Sequence, residues 1–430
     1  MNGMTIGEKI IAHHCGKSFV APGEFVMVDL DFVMGEDITT PIGLDVFEVL
    51  GKNRVFDPER VAIVCDHLCP TRDIKSATNR KRMEEFAKKM GLKYFLACDK
   101  PGGGVEHILL PQEGLVLPGD IVIGADSHTC TYGALANVAT GVGSTDFAVG
   151  MALGKIWLKV PETIQVVLRG KPGPWISGKD IILHLIGTIG VSGALYATLE
   201  YSGEGISFLG MHDRFTICNM AIECGAKNAI FPFDNITKTY EENRAKRKYE
   251  VFFADPDAIY SKRIEIDLSS LQPVAALPSL PENVVVIEDM KERPKIDQVF
   301  IGSCTNGSLE DLHIAAKVLE GKKIHKDVRL LVSPASQAIY SEAMRDGTLE
   351  SIINSGGVIL NATCGPCFGG NLGILAPGEV CISTSNRNFV GRMGHKDGKI
   401  ILASPAVAAA SALMGVLSSP QETTIKDAGK

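Results

Sequence analysis

The chain has 430 residues, 45% of them hydrophobic, and a formal net charge of −7. That length exceeds what one hydrophobic core usually supports, so we expect two or three domains. The acidic balance, with no long basic block, argues against a nucleic acid as the main partner.

The termini and the cysteine content predict a cytoplasmic protein. Met1 to Ile11 contains no apolar run of the kind found in signal peptides. The longest stretch of low polarity, Ala403 to Leu417, is too short to span a bilayer, so we expect a packed helix there and no membrane partner. Eleven cysteines, an odd number in a large chain, favour a reducing compartment over a disulfide framework.

The first third of the chain alternates short apolar strands with helical patterns. We expect a helix from Arg80 to Met90 and strands at Val61–Cys65, Tyr94–Ala97 and Ile121–Gly124. This alternation is typical of an α/β fold with a mainly parallel sheet. Polar residues follow two of the strands, at 66–67 and at 126–128, and parallel sheets build their sites at such strand ends.

Two further units follow. The second begins with a strand at Thr163 to Leu168, and the third comes after a proline-rich, linker-like stretch from Leu271 to Glu282. We therefore expect domains at 1–160, 161–285 and 286–430. In the third unit, strands expected at Gln298–Ile301 and Gly357–Asn361 end shortly before two cysteine motifs, which predicts neighbouring loops at one sheet edge.

Those motifs contain Cys304, in Gly-Ser-Cys-Thr-Asn-Gly, and the pair Cys364-Gly-Pro-Cys367. Three thiolates are one fewer than a closed four-iron cluster needs, so a cluster held by all three keeps one iron open to Lewis-acid chemistry. Two other interpretations stay open at this point. The pair also fits a thioredoxin-like dithiol, and the three cysteines with His395 fit a zinc site.

A glycine-rich segment at 173–179 nearly matches a phosphate-binding loop. Asp180 stands where that motif has a hydroxyl for Mg²⁺, and Pro174 removes one backbone donor. We therefore expect a turn that caps a helix from Asp180 to Ile189.

Acidic residues accompany several histidines, and two arginines follow the cysteine pair. The acid–imidazole segments lie at 66–67, 106–107 and 126–128. A neighbouring carboxylate orients an imidazole and raises its pKa, which suits a proton donor to a leaving hydroxyl. Arg387 and Arg392 suit a dicarboxylic substrate, because each guanidinium can bind one carboxylate through two hydrogen bonds.

Four segments together carry a family resemblance. Gly-Ser-Cys-Thr-Asn-Gly at 302–307, Thr-Cys-Gly-Pro-Cys at 363–367, Asp-Ser-His at 126–128 and Asn-Arg-Asn-Phe-x-Gly-Arg at 386–392 resemble the aconitase superfamily of [4Fe–4S] hydro-lyases. The likeness runs nearly end to end and is greatest to the large subunits of two-subunit isopropylmalate dehydratases. It implies three α/β domains with mainly parallel sheets around the cluster.

The resemblance also implies a reaction, the reversible removal and addition of water on a hydroxy-dicarboxylate. The preferred substrates are 2-isopropylmalate and 3-isopropylmalate, which the enzyme would interconvert in leucine biosynthesis. The similar large subunits of 2,3-dimethylmalate dehydratase, methylmalate (citraconate) dehydratase and homoaconitase are the alternatives.

Residue roles follow from the matching positions. Cys304, Cys364 and Cys367 would hold one [4Fe–4S] cluster, with one iron free of protein ligands, and Asn219 and Asn386 would flank it. Three carboxylate–imidazole pairs would serve proton transfer: Asp66 with His67, Asp126 with His107, and Glu223 with His128. Of these, Asp66 and His67 would protonate the departing hydroxyl. The substrate-binding residues would be Ser127, Arg387 and Arg392.

The family's carbon-proton base is a serine in a separate swivelling domain. This chain stops at Lys430, soon after the third domain, so the resemblance implies a small partner subunit that carries the swivelling domain, in a heterodimer or heterotetramer. Two other function classes remain as rivals. An electron-transfer protein would need a fourth cluster ligand, and an RNA-binding regulator, as found among single-chain relatives, is disfavoured by the acidic balance.

Overall fold

Three main β-sheets organise the fold, and each takes its strands from a different part of the chain. The structure is a computed structural model and describes residues 3–425. Its strands are β1 Phe25–Asp29, β2 Phe32–Glu36, β3 Val61–Cys65, β4 Tyr94–Ala97, β5 Ile121–Gly124, β6 Val138–Gly141, β7 Lys155–Lys159, β8 Thr163–Arg169, β9 Thr198–Ser202, β10 Asn228–Ile230, β11 Lys262–Asp267, β12 Val274–Ala276, β13 Val284–Val286, β14 Gln298–Ile301, β15 Arg329–Val332, β16 Val358–Ile359, β17 Val380–Ser383 and β18 Lys399–Ala403.

Helices connect and cover the strands, as expected of an α/β fold. They are α1 Ile6–His14, α2 Thr40–Val49, α3 Ile74–Met90, α4 Glu106–Gln112, α5 Ser144–Leu153, α6 Gly178–Ile189, α7 Met211–Met220, α8 Asn235–Glu241, α9 Ser303–Asn306, α10 Leu309–Leu319, α11 Gln337–Arg345, α12 Thr348–Asn354, α13 Pro405–Met414 and α14 Glu422–Ile425. Within residues 3–425, none of them is both long and apolar enough to cross a bilayer.

The first sheet is parallel throughout, in the order β4-β3-β2-β5-β6, while β1 and β7 form a separate antiparallel ribbon. Every residue of β2, β3 and β5 is buried, as is usual for parallel strands covered by helices on both faces. Their carboxyl ends lie at one edge of the sheet. The chain leaves that edge at Glu36, Asp66 and Ala125.

The second sheet is also parallel, in the order β10-β9-β8-β11. The third has seven strands, of which β18, β17, β14, β15 and β16 are parallel and the β12–β13 hairpin is antiparallel. The three sheets draw on residues 32–141, 163–267 and 274–403. The domain limits 1–160, 161–285 and 286–430 stay a prediction.

Two predictions on the third unit need correction. The stretch from Leu271 to Glu282 is not a linker, because β12 lies inside it and pairs with β18. This pairing gives the buried backbone of Ala275 and Ala276 the partners it needs. The strand expected at Gly357–Asn361 is reduced to two residues, since β16 lies at the sheet edge and pairs with β15 alone.

The segment that resembled a phosphate-binding loop forms a helix cap, as predicted. Asp180 accepts hydrogen bonds from the backbone N–H and the hydroxyl of Ser177, each at 3.0 Å. This is the reciprocal capping arrangement that starts many helices. The predicted packed helix near the end of the chain is also confirmed, since α13 is buried along most of its length.

Candidate active site

A cavity of about 200 Å³ lies where strand ends of the first and third sheets face each other. Ten predicted site residues line it: His67, His107, Asp126, His128, Cys304, Cys364, Cys367, Asn386, Arg387 and Arg392. The remaining four do not line the cavity but form hydrogen bonds with residues that do: Asp66, Ser127, Asn219 and Glu223. The structure therefore brings together side chains that are up to 326 positions apart in the chain.

The three cysteines reach the cavity from two loops that follow parallel strands. Cys304 lies in α9, directly after β14, and Cys364 and Cys367 belong to a 3₁₀ turn after β16. Gly302 has φ +149°, and a Cβ there would lie 2.5 Å from the Ser333 carbonyl oxygen, so the tight turn into α9 requires glycine. All three sulfurs are buried beside the cavity.

N–H groups point at these sulfurs. The Asn219 amide donates to Cys304 Sγ at 3.1 Å, and the Asn386 amide donates to the same sulfur at 3.6 Å. Arg392 Nη2 lies 3.8 Å from Cys367 Sγ. A hydrogen bond from Cys364, together with Arg392, holds the pKa of Cys367 well below its usual range despite burial. Donors of this kind suit anionic sulfur, so the residues fit a sulfur-bound iron centre.

The zinc site with His395 is not formed. His395 is exposed, its Nδ1 lies 3.5 Å from Asp397 Oδ2, and it does not line the cavity. Cys364 and Cys367 share the cavity with Cys304. This arrangement of three cysteines differs from the isolated dithiol of a thioredoxin-like site.

Three carboxylate–imidazole pairs surround the cysteines. His67 Nδ1 donates to Asp66, His107 Nε2 to Asp126 and His128 Nε2 to Glu223, each at 2.7 Å. These are the pairs that the family resemblance implied. Each carboxylate fixes the orientation of its imidazole.

The protonation states follow from burial and charge. Burial disfavours the charged ring of His67, but the attraction of Asp66 outweighs it and raises the pKa of His67 well above its ordinary value. Burial also opposes the charge on Asp126, yet hydrogen bonds from His107 and His128 hold its pKa well below the usual range. His67 can therefore keep a proton at neutral pH while Asp126 stays ionised.

Hydrogen bonds connect the loop that contains Asp66 and His67 to the loop that contains Cys364 and Cys367. Thr363 Oγ1 donates to the carbonyl oxygens of Asp66 at 2.7 Å and of Cys69 at 2.8 Å, and the Cys364 N–H donates to the Asp66 carbonyl at 2.9 Å. The relative position of His67 and the cysteine pair is thus set by direct hydrogen bonds.

The two arginines differ in how they are held. Arg387 Nε donates to Glu223 Oε1 at 2.8 Å, which leaves its terminal nitrogens for other partners. The Arg392 guanidinium lies 5.8 Å from the ring centroid of Phe368, and its Nε has no hydrogen-bond partner among residues 3–425. Both guanidiniums line the cavity and leave donors for anionic groups. Ser127 does not line the cavity, and its hydroxyl lies 3.3 Å from His128 Nδ1.

Sequence reasoning gave no role to four residues of this site, although Glu106 belonged to one of the acid–imidazole segments. Glu36 and Glu106 line the cavity, and burial raises the pKa of Glu36 to about 7 and that of Glu106 well above its ordinary value. Asp37 accepts the backbone N–H groups of His67 and Leu68 at 2.9 and 2.8 Å. Lys179 is buried behind the cysteines. The acids at 36–37 follow an apolar strand, so the rule that identified Asp66 could have found them.

Comparisons with known proteins agree with this geometry. Residues 8–415 match the family described as "Aconitase family (aconitate hydratase)". The protein named "3-isopropylmalate dehydratase large subunit" in Caldicellulosiruptor bescii is 53% identical over 423 residues, 98% of each chain. Its namesake in Clostridium kluyveri is 55% identical over 97% of this chain and 99% of its own. A Pyrococcus furiosus protein named "3-isopropylmalate dehydratase large subunit 1" is 55% identical over 98% and 99%. The predicted family is confirmed.

Proposed function

The chain belongs to the aconitase family, and on that premise we propose that it is the large subunit of a hydro-lyase that interconverts 2-isopropylmalate and 3-isopropylmalate in leucine biosynthesis. Relatives of that name match it at 53–55% identity over 97–98% of its length. One observation carries the proposal. Three cysteine sulfurs, three carboxylate–imidazole pairs and two arginines converge on one cavity.

The cofactor that fits the sulfur donors is a [4Fe–4S] cluster held by Cys304, Cys364 and Cys367. When bound, such a cluster supplies Lewis-acid chemistry at the iron that has no cysteine ligand. Asn219 and Asn386 hold the sulfurs in place through their amides, and Arg392 adds a positive charge beside Cys367.

Proton delivery falls to His67. Asp66 binds its Nδ1–H, which leaves Nε2 to donate to the departing hydroxyl. Asp126 and Glu223 orient His107 and His128, so the water that leaves or enters the cavity meets fixed imidazoles. Arg387 and Arg392 bind the substrate carboxylates, and the donors that the structure leaves unused on both are suited to that task.

A small subunit would complete the enzyme. Relatives of 53–55% identity are named large subunits, which implies a second polypeptide. We assign to that partner the swivelling domain with the carbon-proton base, in a heterodimer or heterotetramer. We also place the enzyme in the cytoplasm, because all eleven cysteines are free and a reducing compartment preserves them.

The proposal predicts a chain that binds its cluster alone but turns over only with its partner. After anaerobic reconstitution with iron and sulfide, we expect cluster absorbance and no consumption of 2-isopropylmalate. Addition of the small subunit should start the reaction, because it brings the base. The measurement is unsaturated-product absorbance under the same anaerobic conditions.

The control is the small subunit without this chain, which should be inactive. Full turnover by the isolated chain would contradict the assignment of the base to a partner. The choice of substrate is tested by measuring kcat/KM on 2,3-dimethylmalate, 2-methylmalate and homoisocitrate as well. A higher kcat/KM on one of these than on isopropylmalate would show that isopropylmalate is not the preferred substrate.

The pairing of Asp66 with His67 predicts a change in pH dependence. Because Asp66 raises the pKa of His67, Asp66→Asn should lower that pKa. The alkaline limb of kcat/KM for dehydration should then move to lower pH, since the acid loses its proton earlier. The measurement is a pH profile of the two-subunit enzyme.

Asp346→Asn provides the matched control, because Asp346 pairs at 2.7 Å with the exposed His313, away from the cavity. That variant should keep the wild-type profile. An unchanged alkaline limb in Asp66→Asn would show that His67 is not the acid.

A further inference from the structure

Lys179 has an ammonium group that is buried behind the candidate active site. Its side chain is 0% exposed. Nζ donates to the carbonyl oxygens of Thr384 at 2.6 Å and of Ser385 at 2.8 Å, and it lies 3.3 Å from Met220 Sδ. The segment that resembled a phosphate-binding loop thus delivers its lysine into the interior, away from any surface ligand.

The segment that Lys179 binds leads directly to Asn386 and Arg387. The Thr384 carbonyl also accepts the Thr305 hydroxyl at 2.6 Å, and Thr305 follows Cys304 in α9. The ammonium therefore holds the turn that leads to Asn386 and Arg387, and Thr305 links that turn to the one that carries Cys304.

The groups that contact the Lys179 ammonium are neutral. Among residues 3–425, no carboxylate oxygen forms an ion pair with Nζ, which binds two neutral carbonyls. A buried cation is costly unless an anion lies nearby. Burial lowers the pKa of Lys179 to about 7, although Cys304 most of all, and then Asp311, Cys367 and Asp180, favour its charged form. Three thiolates around a [4Fe–4S]²⁺ core carry a net charge of about −1, which is an anion of the required sign.

We infer that Lys179 is a positioning residue of the cluster site, which holds the 384–387 segment in place and offsets the negative charge of the cysteine-bound cluster. This inference rests on the proposed function. Reduction adds a further negative charge to the cluster, so a nearby cation favours the reduced form. A structural lysine without this electrostatic role would leave the reduction potential unchanged.

The test compares Lys179→Met and Lys179→Gln with the wild-type chain after anaerobic reconstitution. Methionine removes the charge and the donor, whereas glutamine keeps an N–H donor and removes the charge alone. Both variants should show a more negative midpoint potential in an EPR-monitored redox titration, and Lys179→Met should also lose iron faster in air. If the methionine variant does not fold, the glutamine variant carries the test.

Lys227→Met is the matched control, because Lys227 Nζ also donates to a backbone carbonyl, that of Gly141 at 3.2 Å, but does not face the cluster cysteines. Its potential should equal that of the wild type. If the wild type binds a cluster and both Lys179 variants keep its potential, the inference on Lys179 is wrong while the proposed function stands. If the wild type binds no cluster, both are wrong.

Discussion

Replacing Cys367 by serine is expected to abolish cluster binding and, with it, dehydratase activity. Cys367 is the cysteine whose pKa lies well below its usual range, because Cys364 and Arg392 stabilise its thiolate against the effect of burial. A serine hydroxyl is a harder ligand than a thiolate and is far less acidic, so it binds iron poorly at neutral pH. The variant should show little cluster absorbance and a strong loss of bound iron and sulfide, with no activity after the small subunit is added.

Cys381→Ser is the control for this experiment. Cys381 is also buried and lies in β17 of the third sheet, but its sulfur is 3.9 Å from Gln298 Nε2 and does not line the cavity. We expect this variant to bind its cluster like the wild type. Equal iron and sulfide contents in Cys367→Ser and the wild type would contradict the assignment of Cys367 as a ligand.

Replacing Arg392 by lysine should weaken substrate use strongly while leaving the cluster in place. The guanidinium lies over Phe368 and has an unpaired Nε, a geometry that one ammonium cannot reproduce. Lysine keeps the charge but cannot form both hydrogen bonds to a carboxylate, and loss of one costs about 1.5–3 kcal/mol, which corresponds to a roughly 10- to 100-fold lower kcat/KM. Most of the change should appear in KM if Arg392 binds a carboxylate equally in the ground and transition states.

Arg329→Lys is the matched control, since Arg329 lies in β15 and pairs with Glu379 at 2.9 Å, outside the cavity. It should keep the wild-type kcat/KM. Cluster absorbance must be equal in both variants for the comparison to report on substrate binding. If Arg392→Lys kept wild-type kinetics, the carboxylate would have to bind elsewhere.

Much of the fold could be predicted because buried parallel strands are short, continuous apolar runs. The strands at 61–65, 94–97, 121–124 and 298–301 match the structure residue for residue. The β12 strand escaped prediction because it is three residues long and lies between prolines. It pairs with β13, its neighbour in the chain, and with β18, which comes from a segment more than a hundred positions away.

The site was predictable where residues identify their own chemistry. Paired cysteines, histidines beside acids and closely spaced arginines rarely occur together outside an active site. The family resemblance then indicated which carboxylate pairs with which histidine. Lys179 escaped because a lysine is ordinary in a sequence, whereas Glu36 was missed although it lies at the end of an apolar strand, as Asp66 does. Their importance comes from burial, which raises the pKa of Glu36 and lowers that of Lys179, each to about 7.

The sequence by itself determined the fold class and the family, and it predicted which residues bind iron, move protons and bind carboxylates. Only the tertiary structure decided that the Cys364 N–H binds the Asp66 carbonyl beside His67, that His395 lies outside the cavity and that Lys179 is buried. The physical reason is that side-chain identity is local, whereas distance and burial arise when loops from separate sheets pack together.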